Sequence, residues 1–441
     1  MTRADVAAGS SCNSVGAVRL RARRGALVLT AVLAAASTAL PGPVPAQPAP
    51  GGPEVAYPVR LVDIGARLGL PRNTHSWDLV AARIDADATT DLVVADHDRL
   101  RVFLNQRPGL TVGLERNLVD PHGCTVGDAD GDGRNDVYCA QGAERGTGGL
   151  ANRLYLQIAP GSWVERSGEY GVRDVYGRGR RPTFIDLDRR GGLDLFVGNE
   201  VGRADGEVSA NRTFVNSGST PLTMRRLGPI GDKGAVCAQA VDQNRDGWQD
   251  LLLCGGSNLP TREVGGPTNR LRLYRNRPAP GGGRRLVDVA PQLGVAFNGV
   301  RSATLVRLNG DRNPDLVVVG SHRLTVWPGA RGGGFAPPVF AASLTAGNWV
   351  AVGDVDGRRG QDLFIVQGCT AARGNIGDLL FLHQGGLRYR SVPAPRVGRG
   401  CGDTAATLDL DGDGADEVVV GNGRWASRGP LQVLTAGAWR G

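Results

Sequence analysis

From about residue 53 onward, two textures alternate along the chain: short runs of Val, Leu, Ile and Phe, and acidic loops carrying Gly. Apolar runs of this length, bounded by Gly, Asp and Asn, predict strands rather than helices. One unit keeps returning: an apolar strand, an acidic loop, then a second strand that opens on Asp-Leu or similar and is rich in Val, Leu and Phe. The clearest loop is Asp128-Ala-Asp130-Gly-Asp132-Gly133-Arg-Asn-Asp136, followed by Val137-Tyr138-Cys139. Two more are nearly as complete, with Asp242, Asn244, Asp246 and Asp250 in one and Asp409, Asp411, Asp413 and Glu417 in the other. Four further copies keep the frame with losses: Asp85, Asp87 and Asp91; Asp186, Asp188 and Asp194; Asn309, Asp311 and Asp315; Asp354, Asp356 and Asp362.

The seven loops begin at 85, 128, 186, 242, 307, 354 and 409, an average spacing of 54 residues. A third strand follows each second one, often opened by Asn-Arg, as at Asn152-Arg153, Asn211-Arg212 and Asn269-Arg270, and a looser fourth strand closes the unit, as at Leu286 to Val289. Four antiparallel strands at such a period are the blade of a β-propeller. The expected fold is therefore all-β, a seven-bladed propeller over residues 55–441. Its last unit stops after a third strand at Leu431 to Leu434, and an orphan strand stands at Val59 to Asp63. That N-terminal strand is expected to complete the last blade, so that the ring closes without an exposed seam.

Asp and Asn at loop positions 1, 3, 5 and 9, with a carbonyl at 7, gather hard oxygens around one point, which is what calcium takes: six to eight of them at about 2.3–2.6 Å. Gly at position 6 supplies the sharp turn. An EF-hand opens the same way but needs Glu at position 12 between helices; here position 12 is Cys139, Leu253 or Val420, inside a strand. The four loops with losses offer fewer oxygens and are expected to be the weaker sites. Some could be metal-free Asx turns.

The Asp-x-Asp-Gly-Asp-Gly-x-x-Asp-Leu loops, the Asn-Arg-Leu-Tyr third strand and the Phe/Val-x-Asp-Val fourth strand resemble the FG-GAP/VCBS repeats of integrin α-subunit propellers and their bacterial secreted relatives. The resemblance covers nearly the whole of 55–441. It implies calcium loops on one face and ligand recognition largely on the other. Thr89, Arg190, Arg307 and Arg358 depart from the loop pattern.

Composition adjusts this picture at the ends. The chain has 441 residues, 67 Gly and 26 Pro, and a formal charge of +8. Arg3, Arg19, Arg21, Arg23 and Arg24 against Asp5 place half of that charge ahead of residue 47. With Lys233 as the sole lysine and no basic run afterwards, nucleic acid is not an expected partner. The Arg cluster, the apolar stretch from Gly25 to Leu40 and Val44-Pro45-Ala46 read as a secretory signal over 1–46, with a Pro/Gly-rich linker at 47–54. The apolar run is shorter than the roughly 20 residues of a spanning helix, so no stable membrane insertion is expected after cleavage. The expected location is secreted, extracellular or in the cell envelope.

Six cysteines follow the signal, an even number that suits an oxidising compartment. Cys124 and Cys139, and likewise Cys237 and Cys254, stand at equal sums about their loops, so each pair faces across a hairpin. Cys369 and Cys401 remain for a bridge between blades six and seven.

No HExxH and no G-x-S-x-G occurs, and the five histidines are scattered along the chain. The segments entering each first strand should ring the central funnel on the face away from the acidic loops. They contribute His75, His122, Arg181, Lys233, Arg301, Asn348, Trp349 and Asp403 as candidate ligand residues. A monomeric extracellular module binding a protein or a glycan is the leading expectation, more binder than enzyme. A polysaccharide lyase or hydrolase acting in the funnel, and a structural envelope protein, stay open, because the fold alone does not choose among them.

Overall fold

The structure, a computed structural model, describes residues 59–107, 109–142, 151–175, 177–190, 192–199, 210–218, 224–227, 230, 234–255, 269–370, 374–394, 401–423 and 428–436. The expected signal and linker, and Lys233, lie outside the described residues. Within them there is no helix, and seven four-stranded antiparallel sheets form a seven-bladed β-propeller. From the axis outward, blade 1 runs Ser76–Ala82, Asp91–Asp96, Arg99–Asn105 and Leu110–Asn117. Blades 2 to 6 repeat that order, with inner strands Pro121–Gly127, Gly179–Ile185, Ala235–Val241, Val300–Val306 and Gly347–Gly353.

Blade 7 takes Gly402–Leu408, Glu417–Asn422 and Gln432–Thr435 from the C-terminal end of the chain, and its fourth strand is Val62–Asp63. Val62 pairs with Thr435 and Asp63 with Leu434. The N-terminal strand thus completes the last blade, as expected. Asp63 adds side-chain bonds, accepting from Gln432 Nε2 at 3.0 Å and from Val433 N at 3.3 Å.

Second strands are buried along almost their whole length, for example Asp91–Asp96, Asp194–Asn199 and Asp362–Gln367. A strand covered on both faces by neighbouring blades has no solvent side, so its sequence is a continuous apolar run rather than an alternation. The core divides accordingly into seven clusters, one at each junction between adjacent blades. Tyr138, Leu154, Phe184, Leu195 and Val197 fill the junction of blades 2 and 3. There the inner strands come so close that a Cβ on Gly123 would sit 1.8 Å from the Arg180 carbonyl oxygen, so only Gly fits.

Three disulfides form. Cys124–Cys139 and Cys237–Cys254 join directly registered residues of inner and second strands, while Cys369–Cys401 ties the connection after the second strand of blade 6 to the start of blade 7.

Candidate functional site

Each acidic loop joins an inner strand to its second strand, so all seven lie on one face. The loops fold as consecutive Asx turns, each acid accepting a backbone N–H two residues on. In blade 2, Asp130 Oδ1 accepts from Asp132 N at 3.3 Å and Asp132 Oδ1 from Arg134 N at 2.9 Å. Asp128 at position 1 takes Gly131 N and Asp132 N on one oxygen and Gly133 N on the other. Gly133 makes this possible with φ of 87°.

Position 9 does something different. Its carboxylate is buried and staples the loop to the sheet. In blade 2, Asp136 Oδ2 accepts from Ala129 N at 2.8 Å and Oδ1 from Gln157 N, on the third strand, at 2.9 Å. Asp91, Asp194, Asp250, Asp315 and Asp362 make the same two bonds with their own blades. Glu417 in blade 7 accepts from Leu410 N at 2.9 Å. Reading position 9 only as a ligand missed this role, although an acid opening every second strand was its signal.

Four loops bring carboxylate oxygens from positions 1, 3 and 9 within 4.8 Å of one another: Asp128, Asp130 and Asp136; Asp186, Asp188 and Asp194; Asp354, Asp356 and Asp362; Asp409, Asp411 and Glu417. Oxygens around one ion at about 2.3–2.6 Å can be no more than about 5 Å apart, so these triads fit a hard divalent cation. Burial and the neighbouring carboxylates point the same way. Burial first, and then the charges of Asp130 and Asp132, push the Asp136 carboxyl up to about 7, against two backbone hydrogen bonds. Burial likewise lifts Glu417 to about 7 and Asp194 and Asp362 to about 6. Carboxyls so displaced favour a proton or a cation over bare charge.

Two of the triads lie in loops expected to be the weaker sites. Blades 3 and 6, expected to be weaker because Arg190 and Arg358 replace the position-5 acid, form the same triad as blades 2 and 7. In blade 6, Arg358 Nε lies 3.6 Å from Asp356 Oδ2 and supplies part of the compensating charge itself. In blade 4 position 3 is Asn244, so positions 1, 3 and 9 supply two acids, Asp242 and Asp250, and an amide whose oxygen accepts from Asp246 N at 3.2 Å. There Asn244 donates to Asp246 Oδ2 at 2.9 Å. Position 5 is outside every triad: Asp132 pairs with Arg134, and Asp413 accepts from Ala415 N at 2.8 Å. In blades 1 and 5, Asp85, Asp87 and Asp91, and Asn309, Asp311 and Asp315, form no triad of acids.

The opposite face holds the residues proposed to ring the funnel. Every inner strand slips register by one near its start, bulging Trp77, His122, Arg180, Val236, Arg301, Asn348 and Asp403 out of the ladder. Bulges re-aim side chains next to sites. His122, Arg301, Asn348 and Asp403 therefore occupy equivalent places at the mouth. Asn348 Nδ2 donates to Asp403 Oδ1 at 3.0 Å, and Arg301 Nε to Ser321 Oγ at 3.0 Å.

Arg181 and Trp349 do not belong to that rim. They sit one residue deeper, where Arg181 of blade 3 ion-pairs with Asp78 of blade 1, donates to the Val236 carbonyl of blade 4 at 3.3 Å and stacks 4.3 Å over the Trp349 ring of blade 6. One side chain can reach blades 1, 4 and 6 from blade 3 only across the axis, so Arg181 spans the channel. Burial pulls its guanidinium down to about 10, with Asp403 opposing; it stays charged at neutral pH. Asp78, which the sequence reading did not single out, also accepts from Leu79 N and Cys124 N, both at 3.0 Å.

Three of the five histidines, scattered in sequence, gather in space. His122 Nε2 lies 2.7 Å and His97 Nε2 3.5 Å from the same Asp120 oxygen. His75 packs edge-on against His97 with ring centroids 5.7 Å apart, and Trp77 stacks on His122 at 4.4 Å. Burial alone would raise the Asp120 carboxyl, but the hydrogen bond and charge of His122, with Arg180 and His97, hold it below the usual range. Asp120 has φ of 59°, a left-handed conformation that Asp tolerates better than most side chains. No sequence spacing marks this group, because His75 and His97 of blade 1 meet the Asp120 and His122 that enter blade 2.

Comparison of the sequence with protein-family models and with curated proteins gave no match.

Proposed function

We propose that the chain is a secreted, calcium-binding propeller of the FG-GAP/VCBS type that works as an extracellular binding module for a protein or a glycan. The observation that carries this reading is the recurrence of buried, converging carboxylate triads at one strand junction in four blades. Oxygen-only donors in flexible loop geometry match calcium better than zinc or copper, which prefer nitrogen and sulfur. Three disulfides in one chain suit an oxidising, extracellular compartment. The cation clamps the loop face, and the ligand is taken at the other face. Because Arg181 spans the channel, a ligand rests on the bulged ring and does not thread through. His122, Asn348, Asp403 and Trp77 offer that ring a mix of amide, charge and aromatic surface suited to sugars or polar peptide.

A glycan and protein array probed with the secreted chain, in calcium and again in excess chelator, tests this. Calcium-dependent capture without product supports the binding module. The grouping of His97, Asp120 and His122 gives the lyase or hydrolase reading its one concrete candidate set. Shortened oligosaccharides, lost on replacing Asp120 with Asn, would favour it and displace the binding reading.

A further inference from the structure

A cavity of about 530 Å3 opens on the acidic-loop face between blades 4 and 5, walled by Val241, Leu305, Val306 and Pro314 with Arg245 and Arg307 at its edge. Its origin is legible in one inner-strand position. Between blades 2 and 3 the short arm of Thr125 takes the backbone N–H of Phe184 at 3.3 Å. At the equivalent place between blades 4 and 5, Gln239 Oε1 takes Leu305 N at 2.8 Å while Nε2 donates to the Leu305 carbonyl at 3.0 Å. A Gln arm reaches two bonds further than Thr, so these two strands stand further apart at this end and leave space between them.

Two arginines, Arg245 and Arg307, line this cavity. Neither has a hydrogen-bond or ion-pair partner among the described residues. Arg245 also holds a backbone shape that disfavours it. It is the fourth residue of its loop, with φ of 62°, where Gly131, Gly310, Gly357 and Gly412 serve in other blades. A left-handed non-glycine residue is strained. Arg189, the other arginine at this loop position, uses its guanidinium, bonding the Gly247 carbonyl and stacking 4.1 Å over Trp248. Arg245 has no such employment among the described residues. Arg307, in turn, stands where six other loops carry the first acid, so blade 5 presents a fixed positive charge. Asp242 also lines the cavity, its two oxygens accepting from the N–H groups of Asp246 and Gly247 in its own loop; these bonds leave its negative charge in place, and the two arginines outnumber it by one.

We infer that this cavity is a binding site for a small amphipathic organic anion, whose carboxylate or sulfonate is gripped by Arg245 and Arg307 while its apolar body lies against Val241, Leu305, Val306 and Pro314. The planar guanidinium fork is suited to such oxyanions, and the volume is in the range of small-ligand pockets. This site is on the face opposite the funnel mouth and does not depend on what that mouth binds.

Fluorescence titration of the full chain with anilinonaphthalenesulfonate, beside the uncharged phenylnaphthylamine, tests the inference. One saturable site is expected for the anion, weakened about tenfold or more in Arg245→Gly and again in Arg307→Gln, since each removes a charge-assisted contact. Arg245→Gly relieves the strained backbone, so it should melt no lower than the parent and its loss of binding cannot be assigned to unfolding. Absence of saturable binding, equal affinity in parent and both variants, or equal loss of the uncharged probe would overturn it.

Discussion

Replacing Asp378 with Asn should make the protein more stable, and only above mildly acidic pH. Asp378 opens the third strand of blade 6 and is 6% exposed. In blades 2 and 3 the same place holds Asn152 and Asn211, whose amide oxygens accept from Gln141 N at 2.8 Å and Asn199 N at 3.0 Å. Asp378 Oδ1 copies that bond, accepting from Gln367 N at 2.8 Å, but it carries a charge that Asn does not. Burial lifts its carboxyl to about 7 from 3.8, against that single hydrogen bond.

A raised folded-state value means that this group's contribution is fully present below about pH 4, where it is protonated folded and unfolded. It is lost as pH rises through about 7. Three units of displacement correspond to about 4 kcal/mol. The new amide N–H must find an acceptor, as Asn152 Nδ2 does on Tyr138 Oη at 2.8 Å; failing that it costs about 1–2 kcal/mol. The net gain expected above neutrality is then about 2–4 kcal/mol, shrinking to nothing or a small loss near pH 4. Denaturant unfolding of both proteins across that range measures it. A variant no more stable at pH 8 than at pH 4, relative to the parent, would refute the reasoning.

Other outcomes follow from the same structure. Arg181→Met strands the buried Asp78 carboxylate and loses the Trp349 stack, and should cost about 3–5 kcal/mol. Adding Asp78→Asn should restore part of this, and simple additivity in a double-mutant cycle would argue against an ion pair across the axis. With extracellular-type affinities, each calcium-filled triad should add about 0.4–1.4 kcal/mol in millimolar calcium, so excess chelator should lower the melting temperature without unfolding the chain; an unmoved melting curve would count against cation binding. The bridge between Cys369 and Cys401 closes the widest loop of the three, at a separation of 32 residues, so replacing both with Ser should destabilise by about 3–4 kcal/mol, read by denaturant midpoint.

Much of this molecule was legible in the chain because its information is local and repeats. Alternation, Gly-bearing turns and an acid at the head of each second strand act within one hairpin, so the blade count, the strand order and the Cys124–Cys139 and Cys237–Cys254 registers could be read residue by residue. Seven copies also made the closing strand at Val62–Asp63 recognisable by what the last blade lacked.

What escaped depends on contacts between blades. Asp78 and Arg181 meet across the axis from positions 103 residues apart, and His97 of blade 1 meets the Asp120 and His122 that enter blade 2. That Asp188 and Asp356 join their triads despite an Arg two residues on, while Asp85, Asp87 and Asp91 gather no triad among the described residues, was set by side-chain directions. Periodicity sets where a side chain begins and which face it leaves from. Only the curvature of the closed ring decides which side chains of different blades come within reach, and that is a property of the assembled circle rather than of any single repeat.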